Sequence, residues 1–192
     1  MKKILFSILL LSSFLVYGQK PETVYSIAKE QRDNSWYEGQ IKAWKGEISK
    51  NKKNGIAWTN YYMAARALRH NSYQNPEMRQ KYDDLCHAII ADVKKSYPGS
   101  FEAYYLTYIE QGLAGPADNL LKAAEINPND ERLFGEMIIH HHLNFNQPEF
   151  EHYCKEIFKT NEFSSGMLNW GYNILSELDE NAVLFTCGDN DT

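Results

Sequence analysis

The feature that most constrains the fold of this chain is a helical spacing of apolar residues that returns after every short polar turn. Tyr37, Ile41, Trp44 and Ile48 recur at intervals that place them on one face of a helix. Segments of the same kind follow along the chain, and turns rich in Asn, Gly or Pro separate them. The pattern predicts an all-α fold of about eight helices over residues 35–180.

Residues that cap helices stand where several of these helices begin. Asn75 precedes Pro76, and this pair suits a helix start because proline lacks an amide hydrogen that the first turn leaves unbonded. The other predicted caps are Ser100, Asp130 and either Ser164 or Ser165. Because the links between the helices are short, we expect neighbouring helices to be antiparallel.

Equivalent turns recur along the helical region. The turns at residues 97–100 and 127–130 are about 30 residues apart, and a turn at 160–163 follows after a similar interval. A helix pair repeated at such a period is typical of a helical solenoid.

One stretch carries a family resemblance. Residues 121–130, Leu-Lys-Ala-Ala-Glu-Ile-Asn-Pro-Asn-Asp, resemble the second helix and terminal proline turn of a tetratricopeptide repeat. Ala123 corresponds to the small position where paired helices touch, and Pro128 to the turn proline. Residues 57–61, with their Trp and Tyr, resemble a first helix. The resemblance implies a right-handed α-solenoid of antiparallel helix pairs that binds a protein or peptide partner.

The N-terminus has the pattern of a secretory signal peptide. Lys2 and Lys3 are followed by an apolar run to Val16, which is shorter than the ~20 residues that span a bilayer. We expect a signal peptide over residues 1–18 with cleavage after Gly18, and a periplasmic or extracellular mature protein. The alternative is an uncleaved N-terminal anchor. The polar segment 19–34 then predicts a linker or a short first helix.

Charge narrows the classes of partner. Cleavage would remove Lys2 and Lys3 and no acidic residue, which makes the net charge of −5 more negative. Nucleic-acid binding needs concentrated positive charge, so we expect no nucleic-acid partner. No second apolar run is long enough to span a bilayer, so we expect no membrane span in the mature chain.

Three cysteines cannot form a complete disulfide framework. Cys86 and Cys154 lie on the apolar faces of predicted helices, where a thiol packs as a small hydrophobic group. A disulfide between Cys86 and Cys154 is the alternative, because an oxidising compartment permits it. Cys187 belongs to the terminal run.

The C-terminal residues differ from the rest of the chain. An apolar, β-rich run from Ala182 precedes a loop that contains Asp189 and Asp191. A lone strand has no partner in a helical body, so residues 181–192 predict a short unpaired strand that begins a truncated α/β segment. Alternate residues of an extended chain point the same way, so both carboxylates could hold Mg²⁺, Mn²⁺ or Ca²⁺. The alternative is an ordinary turn.

The same residues carry a second resemblance. Residues 184–192, Leu-Phe-Thr-Cys-Gly-Asp-Asn-Asp-Thr, resemble a block in bacterial envelope proteins, some of them membrane proteins related to lipid-linked sugar transferases. In that family an α/β segment follows the block. The resemblance implies an alternative function, in which this chain is the accessory N-terminal part of a larger envelope enzyme whose α/β domain begins near Ala182.

The remaining candidate sites favour structural roles. His140, His141 and His142 are consecutive, so a helix would point them in different directions and they cannot share one metal ion. The basic cluster of Lys50, Lys52 and Lys53 suits a solvated helix end. The sequence has no Ser-His-Asp spacing, glycine-rich phosphate loop or Cys-x-x-Cys pair. We therefore expect a non-catalytic, exported scaffold that needs no cofactor.

Overall fold

The helical fold is seen directly in a computed structural model of the chain, which describes residues 19–112, 115–160 and 162–185. Within these residues the protein is all-α, with eight helices and no strand. The helices are α1 (Asn34–Lys50), α2 (Gly55–Asn71), α3 (Pro76–Ser96), α4 (Phe101–Gln111), α5 (Asp118–Ile126), α6 (Glu131–Leu143), α7 (Gln147–Lys159) and α8 (Ser165–Ser176). The predicted all-α class and helix number are confirmed.

The chain divides into two compact units, Met1–Pro128 and Asn129–Thr192. The described part of the first unit, called unit 1, holds α1 to α5. Unit 2 holds α6 to α8.

Helix starts follow the capping residues. The side chain of Asn75 accepts a hydrogen bond from the amide of Met78, and Pro76 opens α3. The predicted caps Ser100, Asp130 and Ser164 are confirmed in the same way at α4, α6 and α8. Each cap satisfies an amide that the first turn leaves unbonded.

Helix α2 is the centre of unit 1. It packs against α1, α3 and α4, and its buried residues lie on several sides of the helix. Trp58 and Tyr62 belong to a core cluster with residues of α3 and α4. Ala67 and Leu68 belong to a second cluster with residues of α1. A helix that is apolar on several sides has to be surrounded by others, and the small alanines let them approach closely.

The N-terminal segment (residues 19–33) is held against α1 and α2 by buried amide side chains. Gln40 is fully buried and accepts a hydrogen bond of 2.8 Å from the amide of Glu22. The side chain of Asn60 accepts one of 2.6 Å from the amide of Val24. The segment has no regular secondary structure apart from a turn at 27–29, and part of it forms one wall of a pocket.

Unit 2 contains one packed helix pair and one helix without such a partner. Helices α6 and α7 pack on each other, and Phe134 of α6 lies 6.0 Å from the ring of Tyr153. Helix α8 packs on neither of them and has no buried residue. After α8, residues 182–185, the first part of the predicted terminal strand, are irregular and form no strand, and residues 186–192 lie outside the described residues.

Among the residues that the structure describes, no helix is long and apolar enough to cross a membrane.

Replacing glycine by alanine should have opposite effects on stability at two positions of unit 1. A Cβ at Gly55 would overlap the carboxylate of Glu102, which is buried against the start of α2, whereas a Cβ at Gly46 of α1 meets nothing. Gly55→Ala should therefore destabilise unit 1 by about 1–3 kcal/mol, as overpacking does. Gly46→Ala should stabilise it by about 0.5–1 kcal/mol, because alanine loses less backbone entropy in a helix.

Urea unfolding followed by tryptophan fluorescence measures both effects. A Trp170→Phe background removes the tryptophan of α8 and leaves only tryptophans of unit 1. Stabilisation by Gly55→Ala would show that Glu102 moves aside without cost, and would contradict the close packing at the start of α2.

Candidate functional site

Unit 1 has a pocket of about 390 Å³ between the N-terminal segment and α2. Residues 25–28 form one wall. The opposite wall comes from the second half of α2 and from the start of α3, and its polar members are Arg66, Arg69, His70, Tyr73 and Arg79. We call this the arginine pocket. Its volume lies in the range of small-ligand and side-chain pockets.

The lining of the arginine pocket is positively charged. It contains three arginines and a histidine and no carboxylate. Arg66 and Arg79 are exposed, and neither pairs with a carboxylate of the described chain. The pocket differs in this respect from the protein as a whole, whose net charge is −5. The pocket therefore has two cations that the described fold leaves free for another molecule.

Two tyrosines give the pocket apolar surface beside its charge. Tyr25 is 45% exposed and Tyr73 is 65% exposed. The ammonium group of Lys29 lies 5.2 Å from the centre of the Tyr25 ring. Tyrosine and arginine, with tryptophan, are enriched among the residues that contribute most to binding at protein interfaces.

Arg69 differs from the other arginines of the pocket because carboxylates within the fold compensate its positive charge. Its Nη1 donates to Glu110 Oε1 at 2.6 Å and to Asp83 Oδ1 at 2.9 Å, and its Nη2 donates to Glu110 Oε2 at 3.2 Å. The bond to Glu110 is bidentate, which fixes the guanidinium plane. Burial alone would lower the pKa of Arg69, but the hydrogen bonds that it donates to Glu110 and the charges of neighbouring groups together outweigh burial, and the pKa rises. Arg69 therefore stays charged and joins α2 to α3 and α4.

Tyr62 completes this network from α2. Its hydroxyl donates to Glu110 Oε2 at 2.5 Å. Burial, followed by the hydrogen bond to Glu110, raises the pKa of Tyr62 far above its usual range. The phenol therefore remains a hydrogen-bond donor at every physiological pH.

The same network contains a group of metal-ligand type. Asp83, His87 and Glu110 each offer one ligand atom, and these atoms lie within 4.8 Å of one another. His87 Nε2 is 3.3 Å from Glu110 Oε1. However, Arg69 already supplies a positive charge to both carboxylates, so the geometry is that of an ion-pair network.

The histidines that are consecutive in sequence are used for packing in unit 2. The His141 ring stacks on Tyr153 with centroids 5.7 Å apart, and His142 lies 5.3 Å from Phe150. Burial, and then the neighbouring His140, lower the pKa of His141. Of the basic cluster, Lys50 pairs with Glu47 at the exposed end of α1.

The cysteines of the described residues are free thiols. Cys86 is fully buried, and burial raises its pKa to about 12. Cys154 is partly exposed, and burial raises its pKa as well. Cys86 belongs to unit 1 and Cys154 to unit 2. Cys187 and the predicted metal ligands Asp189 and Asp191 lie outside the described residues.

Sequence reasoning missed the arginine pocket and the network behind it. Asp83 and His87 have the i, i+4 spacing that places two side chains on one helix face, and this signal was available. Arg66 and Arg69 are three residues apart beside the apolar positions of α2. Glu110 could not be linked to them without the tertiary structure.

Unit 2 exposes several large apolar residues. Its exposed large residues include Trp170 at 52%, Tyr172 at 71% and Leu175 at 60%, all on α8. Phe145, in the turn before α7, is 95% exposed and has a positive φ of 55°, a conformation that bulky residues rarely adopt.

Comparisons with protein-family models, with curated proteins and with solved structures gave no match for this chain.

The hydroxyl of Tyr62 should contribute measurably to stability. Tyr62→Phe removes a hydrogen bond to a charged, buried carboxylate, and such bonds contribute about 1.5–3 kcal/mol. Urea unfolding should therefore show a lower midpoint for Tyr62→Phe. Tyr61→Phe is the matched control, because the hydroxyl of this neighbouring tyrosine has no hydrogen-bond partner in the described structure. Equal effects of the two substitutions would contradict the role given to the bond with Glu110.

Proposed function

We propose that this protein is an exported, non-catalytic helical scaffold that binds a protein or peptide partner in the arginine pocket. The observation that carries the proposal is the combination, in one concavity, of two exposed tyrosines with arginines that have no ion-pair partner in the described chain. Such a surface offers ring faces for packing and cations for polar contacts. The signal-peptide pattern of residues 1–18 supports a periplasmic or extracellular location.

The helix contacts of unit 1 support a tetratricopeptide-like arrangement. Helix α2 packs on α3, α3 on α4 and α4 on α5, and α2 also packs on α4. Contact between successive helices and between alternate helices is the pattern of stacked helix pairs in a solenoid. Ala123 of α5, the small position of the resemblance, is fully buried. The right-handed α-solenoid is part of this proposal.

The shifted pKa values of unit 1 have structural causes. Tyr62 and Cys86 are buried, and burial is the largest cause of both shifts. Arg69 reaches the pocket but is held by Glu110 and Asp83. These pKa shifts follow from packing and ion pairing within unit 1. Structural ion-pair networks shift pKa values in the same way as functional sites do.

The proposal predicts that selected peptides depend on the pocket tyrosines. Peptides are selected from a random display library on the purified protein, and their affinities are then measured by calorimetry. A Tyr25→Ala/Tyr73→Ala variant should bind them at least about tenfold more weakly, which corresponds to about 1.4 kcal/mol. Tyr172→Ala, which removes an exposed tyrosine of α8, is the control and should leave the affinity unchanged. Failure to enrich any peptide, or equal binding by all three proteins, would refute the proposal.

A second candidate function is favoured by the exposed apolar residues of unit 2. In this alternative, the helices are the accessory part of a larger envelope enzyme or membrane protein, and an α/β domain beginning near Ala182 carries the metal ligands Asp189 and Asp191. The observation in its favour is that α8 buries none of its residues and that Val183 and Phe185 are 75% and 91% exposed. Apolar surface of this kind marks a site of interaction.

The second candidate predicts that the terminal run contributes little to the helices themselves. Deletion of residues 182–192 should leave the melting temperature of the helical body nearly unchanged, because Val183 and Phe185 are exposed. It should also reduce aggregation, since an exposed apolar segment associates readily. Circular dichroism and light scattering measure the two effects. A large loss of stability would show that the run belongs to this helical fold instead of to a further domain.

A further inference from the structure

Only some of the positively charged side chains in the arginine pocket are available to a ligand. Arg69 is committed to Glu110 and Asp83, and its side chain is only 21% exposed. Arg66 on α2 and Arg79 on α3 have no such partner in the described chain and are exposed to the pocket. The exposed ring of His70 lies in the same lining. Two permanent cations therefore face the concavity with no counter-charge in its lining.

Two arginines without an ion-pair partner in the lining of one pocket are unfavourable unless another group compensates their charge. Like charges repel, and in a protein with a net charge of −5 carboxylates to pair with are plentiful. The fold nevertheless assigns Asp83 and Glu110 to Arg69 and leaves Arg66 and Arg79 without either. The group that complements them is an anion with the geometry of a carboxylate, which arginine binds in a bidentate manner.

The size and lining of the pocket indicate the kind of molecule that carries the anion. A pocket of about 390 Å³ is much larger than a single carboxylate. Tyr25 and Tyr73 offer apolar ring faces beside the arginines, which suit the aliphatic part of a side chain or an aromatic neighbour of the acidic residue.

We propose that the arginine pocket binds an acidic peptide segment of the partner, with Arg66 and Arg79 taking its side-chain carboxylates and Tyr25 and Tyr73 packing on the adjoining residue. This inference rests on the proposed function, because it names the chemistry of the partner that the same pocket binds. Since the net charge of the chain repels an acidic partner at long range, the selectivity comes from the pocket itself.

The test uses a pair of peptides that differ only in charge. The probe is a fluorescein-labelled peptide, acetylated and amidated at its ends, with the sequence Glu-Asp-Phe-Glu-Asp-Glu. Its neutral counterpart is Gln-Asn-Phe-Gln-Asn-Gln. Fluorescence anisotropy with the purified protein should show that the acidic peptide binds at least about tenfold more tightly, and that its affinity falls as salt is added. Equal binding of the two peptides, or no binding of the acidic one, would overturn the inference.

Matched charge variants locate the binding. Arg66→Gln/Arg79→Gln should weaken binding of the acidic peptide at least about tenfold. Lys42→Gln/Lys45→Gln removes the same charge from exposed positions of α1 outside the pocket, and should change the affinity less than about twofold. Equal weakening by both variants would reveal a general charge effect and would overturn the assignment. Circular dichroism confirms that each variant is folded.

Inorganic phosphate separates a simple anion site from a peptide site. Competition by phosphate against the acidic peptide would support the anion-binding role of the arginines. Binding of phosphate without binding of the acidic peptide would overturn the inference. If the display selection yields peptides that depend on Tyr25 and Tyr73 but carry no acidic residue and bind the Arg66→Gln/Arg79→Gln variant normally, the proposed function stands and this inference fails.

Discussion

The bidentate ion pair between Arg69 and Glu110 determines how the central part of unit 1 is arranged. It connects α2 to α4, and the bond from Arg69 to Asp83 adds α3. Glu110 is only 11% exposed, so its charge has little access to water and must be compensated within the protein. Replacing both partners of such a pair with apolar residues can be neutral, but losing one partner costs about 3–5 kcal/mol. The pair therefore selects one arrangement of three helices, and Tyr62 reinforces it through the second oxygen of Glu110.

Much of the fold could be predicted because local chemistry and tertiary packing agree. The apolar spacing of α1 predicted one buried face, and its residues Tyr37 and Ile48 are buried while Ile41 and Trp44 pack against the core. The caps of α3, α4, α6 and α8 were read from single Asn, Ser or Asp residues, because the hydrogen bond of a cap lies within one turn of its own helix. Periodicity alone, however, marked α2 as having one apolar face. Its buried Ala64 and Ala67 on other sides show a helix enclosed by neighbours, which depends on contacts distant in sequence.

The features that escaped prediction all depend on pairing between distant residues. The N-terminal segment is polar and has no helical period, yet buried Gln40 and Asn60 hold its backbone against α1 and α2. An Asn or Gln in a helical stripe gives no sign of which distant amide it will bind. Likewise, the sequence around Arg69, whose charge is compensated by Glu110, does not distinguish it from Arg66 on the same helix. The difference is the position of Glu110 on α4, which only the folded chain reveals.

The pocket can be selective because one of its arginines is paired within the fold and two are not. If all three arginines were unpaired, their mutual repulsion would loosen the end of α2, and the pocket would attract any anion. If all three were paired, the pocket would have no cation to offer. Arg69, held by Glu110, supports the wall structurally, while Arg66 and Arg79 line the pocket without an ion-pair partner in the described chain. A ligand then has to match two cations and the adjoining tyrosine rings together, which demands more than negative charge alone.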